Sequence, residues 1–280
     1  MRGAVHLRLW RALRVVTHIL IGLSLSAFWL APAMYLRPAG ALHWRARIVR
    51  WWMQRLLTIL AVRVELLGQA ASAPALLVAN HISWLDIPCL LGCTNAVFVS
   101  KHEVAEWPII GLLARCSGTL FLERGHGARE AILRMIAAFS GQQRIVIFPE
   151  GTSTDGRRVL PFHPRLFEAA IAAGAPVQAI AIHYPHTQNP QRIEFIGDDA
   201  FVPHLWQLLA AREIVARLTF FPPLASSGRS RSELADRTRA DIRSIVEPLS
   251  PHVPGTPTRR LTDLDATSKH RKDNSPTHPV

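Results

Sequence analysis

Before Glu65 the chain has no Asp, no Glu and no Lys. The charged side chains of that stretch are ten Arg, at positions 2, 8, 11, 14, 37, 45, 47, 50, 55 and 63. Over all 280 residues Lys plus Arg number 32 and Asp plus Glu 20, so +10 of the formal +12 lies in this segment. A nucleic-acid binder more usually spreads its basic residues over a folded face. Here they alternate with Trp10, Trp29, Trp44, Trp51 and Trp52, five of the eight Trp, and Arg with Trp around an apolar run suits a membrane surface. Cysteine is also scarce. Cys89, Cys93 and Cys116 are too few and too irregular for a disulfide framework, and a reducing compartment is compatible with them. No Cys/His spacing resembles a zinc site. Charged residues are only 19% and hydrophobic ones 49%, with mean hydropathy +0.15, which excludes a wholly disordered chain.

Residues 15–36 carry no charge. At about 1.5 Å per residue, a run of roughly 20 is long enough to cross a bilayer core. A retained membrane segment is the expectation rather than a cleaved signal, because no small-residue cleavage site leads into a polar start. Pro32 and Pro38 interrupt a straight span, and Arg on both sides leaves its orientation open. Residues 44–62 form a second helical pattern, in which Arg45, Arg47, Arg50 and Arg55 alternate with Ile48, Trp51, Trp52, Leu56 and Ile59. That is a basic amphipathic helix for an anionic interface. The expected organisation is attachment helices over 1–63, a folded domain over 64–249 and a disordered Pro- and Thr-rich tail over 250–280. A hairpin dipping into one leaflet of the cell inner membrane would leave the folded domain on the cytoplasmic side.

Beyond Val64, short apolar strands alternate with helices. Strands are expected at 75–79, 96–100, 119–122, 144–148, 177–183, 192–196 and 214–220. Helices are expected at 84–93, 109–115, 127–140, 167–173, 201–209 and 232–247. This order implies an α/β fold, a central mostly parallel sheet flanked by helices.

Polar clusters follow several strands, where open α/β sheets place their sites. Strand 75–79 runs into Asn80-His81-Ile82-Ser83-Trp84-Leu85-Asp86. His81 and Asp86 are five apart, about 140° off one helix face. They meet only if His81 precedes the helix and Asp86 opens it, and Ser83-x-x-Asp86 fits a capping pattern there. An Asp on one imidazole nitrogen would leave the other as a base. Read alone, a capping cluster with a structural His serves equally. Phe148-Pro149-Glu150-Gly151-Thr152-Ser153 follows strand 144–148 and would let a ligand approach closely, or form an ordinary turn. Arg124, after strand 119–122, could clamp an anionic headgroup or pair with Glu123. Lys101, after strand 96–100, is open to the same two readings.

Together these clusters resemble the glycerolipid acyltransferase family, specifically bacterial 1-acylglycerol-3-phosphate acyltransferases, over about residues 44–225. The Asn-His-x4-Asp pattern falls on His81 and Asp86, Gly-x-x-Phe-x-x-Arg on Gly118, Phe121 and Arg124, and Phe-Pro-Glu-Gly-Thr on 148–152. A Pro-Val strand start falls on Pro176-Val177. The resemblance implies that His81 deprotonates the free hydroxyl of a lysophospholipid acceptor, with Asp86 orienting it. The hydroxyl attacks an acyl thioester, acyl-CoA or acyl-carrier protein, as co-substrate. Glu150, Gly151 and Thr152 would position the glycerol, and Lys101 and Arg124 the phosphate. No cofactor or metal is implied, and the partners are membrane lipids rather than nucleic acid. Many members carry Arg after Glu-Gly-Thr, where this chain has Ser153, with Arg157 and Arg158 further on. The expected product is phosphatidate. The Ser153 departure keeps a lyso-ornithine lipid acceptor open. A metal-dependent hydrolase lacks a third ligand, and a non-enzymatic membrane binder has no need to retain His81, Asp86 and Glu150 together.

Overall fold

The structure, a computed structural model, describes residues 2–30, 41–122, 127–185 and 191–249. Seven strands form one sheet: β1 (Val62–Leu67), β2 (Ala75–Ala79), β3 (Ala96–Lys101), β4 (Leu120–Leu122), β5 (Arg144–Ile147), β6 (Val177–His183) and β7 (Ile214–Phe220), in the order β1-β7-β6-β2-β5-β3-β4. All neighbours are parallel except β6 and β7. Five strands, β6, β2, β5, β3 and β4, therefore end side by side.

Helices cover both faces, so the central strands are apolar throughout and not alternating. Every residue of β2 and of β6 is buried. Successive side chains point to opposite faces. Ala75, Leu77 and Ala79 join one core, and Leu76 and Val78 the other. The second core is filled by Met135 and Phe139 of α6 (Gly127–Ser140), Phe167 and Ala170 of α7 (Phe167–Ala173), and Leu234, Ile242 and Val246 of α9 (Arg231–Leu249). Fully burying one such side chain contributes about 1.5–3 kcal/mol.

The first core is closed by the N-terminal helices. The apolar run begins earlier than its uncharged stretch. Helix α1 spans Arg2–Leu25 and continues as a π-turn over Ser26–Leu30; the end of the expected run, 31–36, lies outside the described residues. Within it, Val5–Phe28 is long and apolar enough to cross a membrane by length and composition. Helix α2 covers Ala41–Ile59. Val15 of α1 and Val49 and Leu57 of α2 are buried in the sheet's first core. The two helices meet where His18 stacks on Trp52 at 4.5 Å and the Trp52 indole N–H donates to the His18 carbonyl at 3.1 Å. A Cβ at Gly22 would lie 2.7 Å from the Trp52 ring, so that helix crossing requires glycine. Arg11 donates to the carbonyls of Leu209, at 3.1 Å, and of Ala211. The attachment helices and the sheet belong to one compact unit.

Two differences from expectation concern strands. The half-exposed edge strand β1 was not anticipated. It starts at Val62, ahead of the boundary placed at 63/64, and pairs with β7. Residues 192–196 alternate like a strand but are not one. Their polar groups go instead to a closed loop: Arg192 pairs with both carboxylate oxygens of Asp199 at 3.0 and 2.6 Å, and the Ile196 N–H donates to Asp199 at 2.8 Å. The remaining elements are α3 (Asp86–Thr94), α4 (His102–Ala105), α5 (Pro108–Ser117) and α8 (Phe201–Leu208), α4 being a short addition to the expected set. The tail 250–280 lies outside the described residues.

Where β2 ends, Asn80 extends the β2–β6 pairing with its side chain. Its Nδ2 donates to the Ile182 carbonyl at 3.0 Å, and its Oδ1 accepts from the Ile182 N–H at 2.7 Å. Asn80→Ala strips both partners from a buried strand. We expect a loss of about 2–4 kcal/mol in unfolding free energy, read from the denaturant midpoint. A midpoint equal to that of the unsubstituted chain would remove this bond pair from the framework of the site.

Candidate active site

The turn 80–86 is organised by one carboxylate. Asp86 is fully buried. Its Oδ2 accepts from the Ile82 N–H at 2.7 Å, the Ser83 N–H at 2.9 Å and His81 Nδ1 at 2.8 Å. Its Oδ1 accepts from the Tyr184 hydroxyl at 2.7 Å. The capping arrangement differs from the Ser-x-x-Asp expectation. Asp86, the first residue of α3, reaches back to the N–H groups before the helix, and the buried Ser83 hydroxyl has no partner among the described residues. The inference that His81 precedes the helix and Asp86 opens it is met.

Asp86 only accepts, so Nδ1 of His81 carries the proton and Nε2 is left as the basic nitrogen. The His81 side chain is 21% exposed. Phe148 stacks on its ring at 4.1 Å and itself rests against Phe98 at 5.3 Å. The His81 carbonyl accepts from the Thr154 N–H at 2.8 Å, and the Ile82 carbonyl from the Phe195 N–H at 3.0 Å. The imidazole is thus held by a ring on its face, a carboxylate on its edge and main-chain bonds beneath.

Glu150, after β5, is buried, and both its carboxylate oxygens go to main chain. Oε1 accepts from the His81 N–H and Oε2 from the Leu160 N–H, each at 2.9 Å. Burial raises its carboxyl to about 7, against the opposite pull of those two N–H donors. Gly151 has φ +70, a left-handed conformation that glycine adopts without Cβ strain. Thr152 is exposed. Ser153, partly buried, donates its hydroxyl to the Phe195 carbonyl, fastening the 192–199 loop beside the His81 turn. Arg157 and Arg158 are exposed, with Arg157 3.9 Å from Asp155.

Lys101 closes β3 and is exposed. It pairs in register with Leu122. Arg124 lies outside the described residues. With strands about 4.8 Å apart, β3 and β4 stand roughly 10 and 14 Å sideways of the His81 strand. The structure therefore brings His81, Asp86 and Glu150 together and puts Lys101 two strands away. Sequence reasoning missed Tyr184, whose signal was faint: it is one of only two Tyr in the chain. It also missed Trp84, whose indole N–H donates to His204 Nδ1 at 3.0 Å and so ties the turn to α8. Among the described residues no group of three or more His, Cys, Asp or Glu could hold a metal ion.

Residues 61–183 match the Acyltransferase family profile. A lyso-ornithine lipid O-acyltransferase of Pseudomonas aeruginosa is 38% identical over 237 residues, 84% of this chain and 92% of that one. The chain belongs to the acyltransferase family. Two further comparisons describe its place there. A 1-acyl-sn-glycerol-3-phosphate acyltransferase of Neisseria meningitidis serogroup B is 31% identical over 175 residues, 61% of this chain and 69% of that protein. The solved structure of the 1-acyl-sn-glycerophosphate acyltransferase PlsC from Thermotoga maritima superposes with TM-score 0.59 at 21% identity, covering 88% of this chain and all of that one. The mostly parallel sheet flanked by helices is thus the fold of this acyltransferase.

The acid Glu150 supplies a pH test. Its folded value of about 7 lies above the ordinary 4.5, so the folded chain binds the proton more tightly. Its contribution to stability is fully present below about 4.5 and is lost as pH rises through about 7. We expect unfolding free energy to fall over that window by about 3 kcal/mol more in the unsubstituted chain than in Glu150→Gln. Denaturant titrations from pH 4.5 to 8 measure this difference. Parallel curves would mean that Glu150 stays ionised.

Proposed function

We propose that this acyltransferase transfers a fatty acyl group from an acyl thioester to the free hydroxyl of a lysolipid, with His81 as general base. The observation that carries the reading is the 2.8 Å contact of His81 Nδ1 with a buried, donor-saturated carboxylate. A lysolipid hydroxyl is a poor nucleophile at neutral pH, and a positioned imidazole contributes about 10²–10⁴-fold in such a step. In the proposed sequence Nε2 takes the hydroxyl proton while the oxygen attacks the thioester carbonyl. The tetrahedral adduct expels the thiolate, and the imidazolium returns the proton to sulfur. Asp86 compensates the transient imidazolium charge. Acyl-CoA or acyl-carrier protein supplies the acyl group. The Glu150–Thr152 turn shapes the acceptor's seat, through its main chain because the Glu150 carboxylate is already engaged. Lys101 and Arg124 hold the anionic part of the headgroup.

The acceptor we infer is a lyso-ornithine lipid, the substrate class in the name of the Pseudomonas relative. Ser153 supports this choice: it stands where an Arg would meet a phosphate monoester, and its hydroxyl is turned to Phe195. An ornithine headgroup carries a carboxylate and an ammonium in place of that dianion, so it needs fewer cations. A second reading, 1-acylglycerol-3-phosphate as acceptor, is favoured by Lys101 and by the Neisseria relative.

The same reading places the chain on a membrane. Leu9, Leu13, Val16 and Leu20 form an exposed apolar stripe on α1 at i, i+4, i+7 and i+11. Trp107, Ile109 and Leu112 at α5, and Val202 and Trp206 on α8, are also exposed. Because α1 is fastened at Arg11 and His18, we propose that it lies in one leaflet of the inner membrane with the site on the cytoplasmic side.

The test is acyl transfer by the purified full chain, with labelled acyl-CoA or acyl-carrier protein and both acceptors side by side. We expect acylated ornithine lipid to form faster than phosphatidate, with His81→Ala lowering the rate by at least about 10²-fold. Phosphatidate alone would overturn the acceptor. An undiminished rate in His81→Ala would overturn the base.

A further inference from the structure

Tyr184 lies just beyond β6, in a part of the chain that none of the polar clusters includes. Its side chain is 5% exposed, and its hydroxyl donates to Asp86 Oδ1 at 2.7 Å. The three donors on Oδ2 all come from the turn that Asp86 itself closes, namely Ile82, Ser83 and His81. Oδ1 is held from across the sheet. Tyr184 thus ties the His81–Asp86 pair to β6, while Asn80 ties the other end of the same turn to Ile182 of that strand. Cys89, one turn along α3, is fully buried beside them. Burial first, and the Asp86 charge next, push both the phenol and the thiol well above their ordinary values. Both keep their protons, and Tyr184 acts as a fixed donor.

We propose that Tyr184 is a positioning residue for acyl transfer, holding Asp86 as an oriented carboxylate so that His81 meets a full negative charge when it takes up the acceptor proton. Without the hydroxyl, Oδ1 becomes a buried carboxylate oxygen with no donor. A carboxylate short of one donor binds a proton more readily. The His81–Asp86 pair then holds its proton to higher pH, and the free base is withdrawn from the reaction. The other titratable groups facing this pair are Cys89 on α3 and Glu150 after β5, the latter joined to the His81 N–H.

This inference rests on the acyl-transfer reading, and the test separates the two. Wild type is assayed first with labelled acyl-CoA and both acceptors. No transfer by wild type would overturn the reading itself. With wild type active, Tyr184→Phe is expected to lower kcat by about 10- to 100-fold, the range for a hydrogen bond to a charged group. KM for either substrate should change less than about twofold, because nothing that binds substrate is removed. The acid limb of the kcat/KM profile should move to higher pH. In an Asp86→Asn background the same substitution should cost little more, because its route of action is already gone.

A second probe does not depend on the variant folding. The chain has only two Tyr, Tyr35 and Tyr184, so in Tyr35→Phe protein, 3-fluorotyrosine incorporation places the label at position 184 alone. The more acidic phenol donates more strongly, and the acid limb should move to lower pH. The proposal is overturned if Tyr184→Phe loses thermal stability while kcat and the profile stay fixed. It is equally overturned if the Tyr184→Phe and Asp86→Asn effects multiply, or if the fluorinated phenol leaves the acid limb in place.

Discussion

The site depends on taking the Asp86 carboxylate out of water. An ion of that size pays several kcal/mol for full burial, even after relaxation. Four donors offset the cost: two main-chain N–H groups, an imidazole and a phenol. Meeting them together requires the turn after β2, the first residue of α3 and the end of β6 to be fixed relative to one another. The Asn80 bridge and the buried β2–β6 pair do so. The His81–Asp86 pair and the strand order are thus one constraint seen at two scales. A slip of β6 by one residue would turn every side chain on it to the opposite face and take Tyr184 from Oδ1.

The N-terminal helices answer a different physical demand. A lysolipid and its acylated product are both confined to the bilayer, so an enzyme that acts on them works at the membrane surface. A tether could hold it there loosely. Here Val15, Val49 and Leu57 are built into the same core as Leu85 and Cys89, which flank Asp86. Helix α1, which carries the exposed apolar stripe, therefore shares a packed layer with the start of α3. Well-packed interiors transmit displacement rather than absorb it, so the position of the His81 turn relative to that stripe is set by side-chain packing, not by the length of a linker.

Much of this was legible in sequence, and the failures have local causes. Strands β2, β5 and β6 and helix α6 stood out because the central strands are apolar throughout and the helix is amphipathic. The His81–Asp86 spacing dictated where the helix had to begin. Strand β1 was hidden because its VRVELL run directly follows an apolar, Arg-rich helix, and its charges find partners only in three dimensions: Arg63 with Glu213, and Glu65 with Arg217. Residues 192–196 carried the period of a strand, yet Asp199 and the His81 turn took up their backbone groups. What the sequence left hidden about Glu150 is that its carboxylate accepts from two main-chain N–H groups, those of His81 and of Leu160, 10 residues further on. Tyr184 left no local pattern at all, since its partner is 98 residues away in sequence.

The proposed base and the proposed headgroup contact Lys101 stand apart on the sheet. His81, Asp86, Tyr184 and Glu150 are gathered at the ends of three adjacent strands, β6, β2 and β5. Lys101 lies beyond them on β3, roughly 10 Å from the β2 axis. None of the four donors on Asp86 comes from Lys101 or Ser153. Ser153 lies at the seam between turn and loop: its main-chain neighbour Thr154 holds the His81 carbonyl, while its hydroxyl fastens the 192–199 loop. A side chain there without a hydroxyl would lose that fastening. The His81 turn is thus organised by the buried Asp86 carboxylate, while the 192–199 loop beside it is fastened separately through the Ser153 hydroxyl.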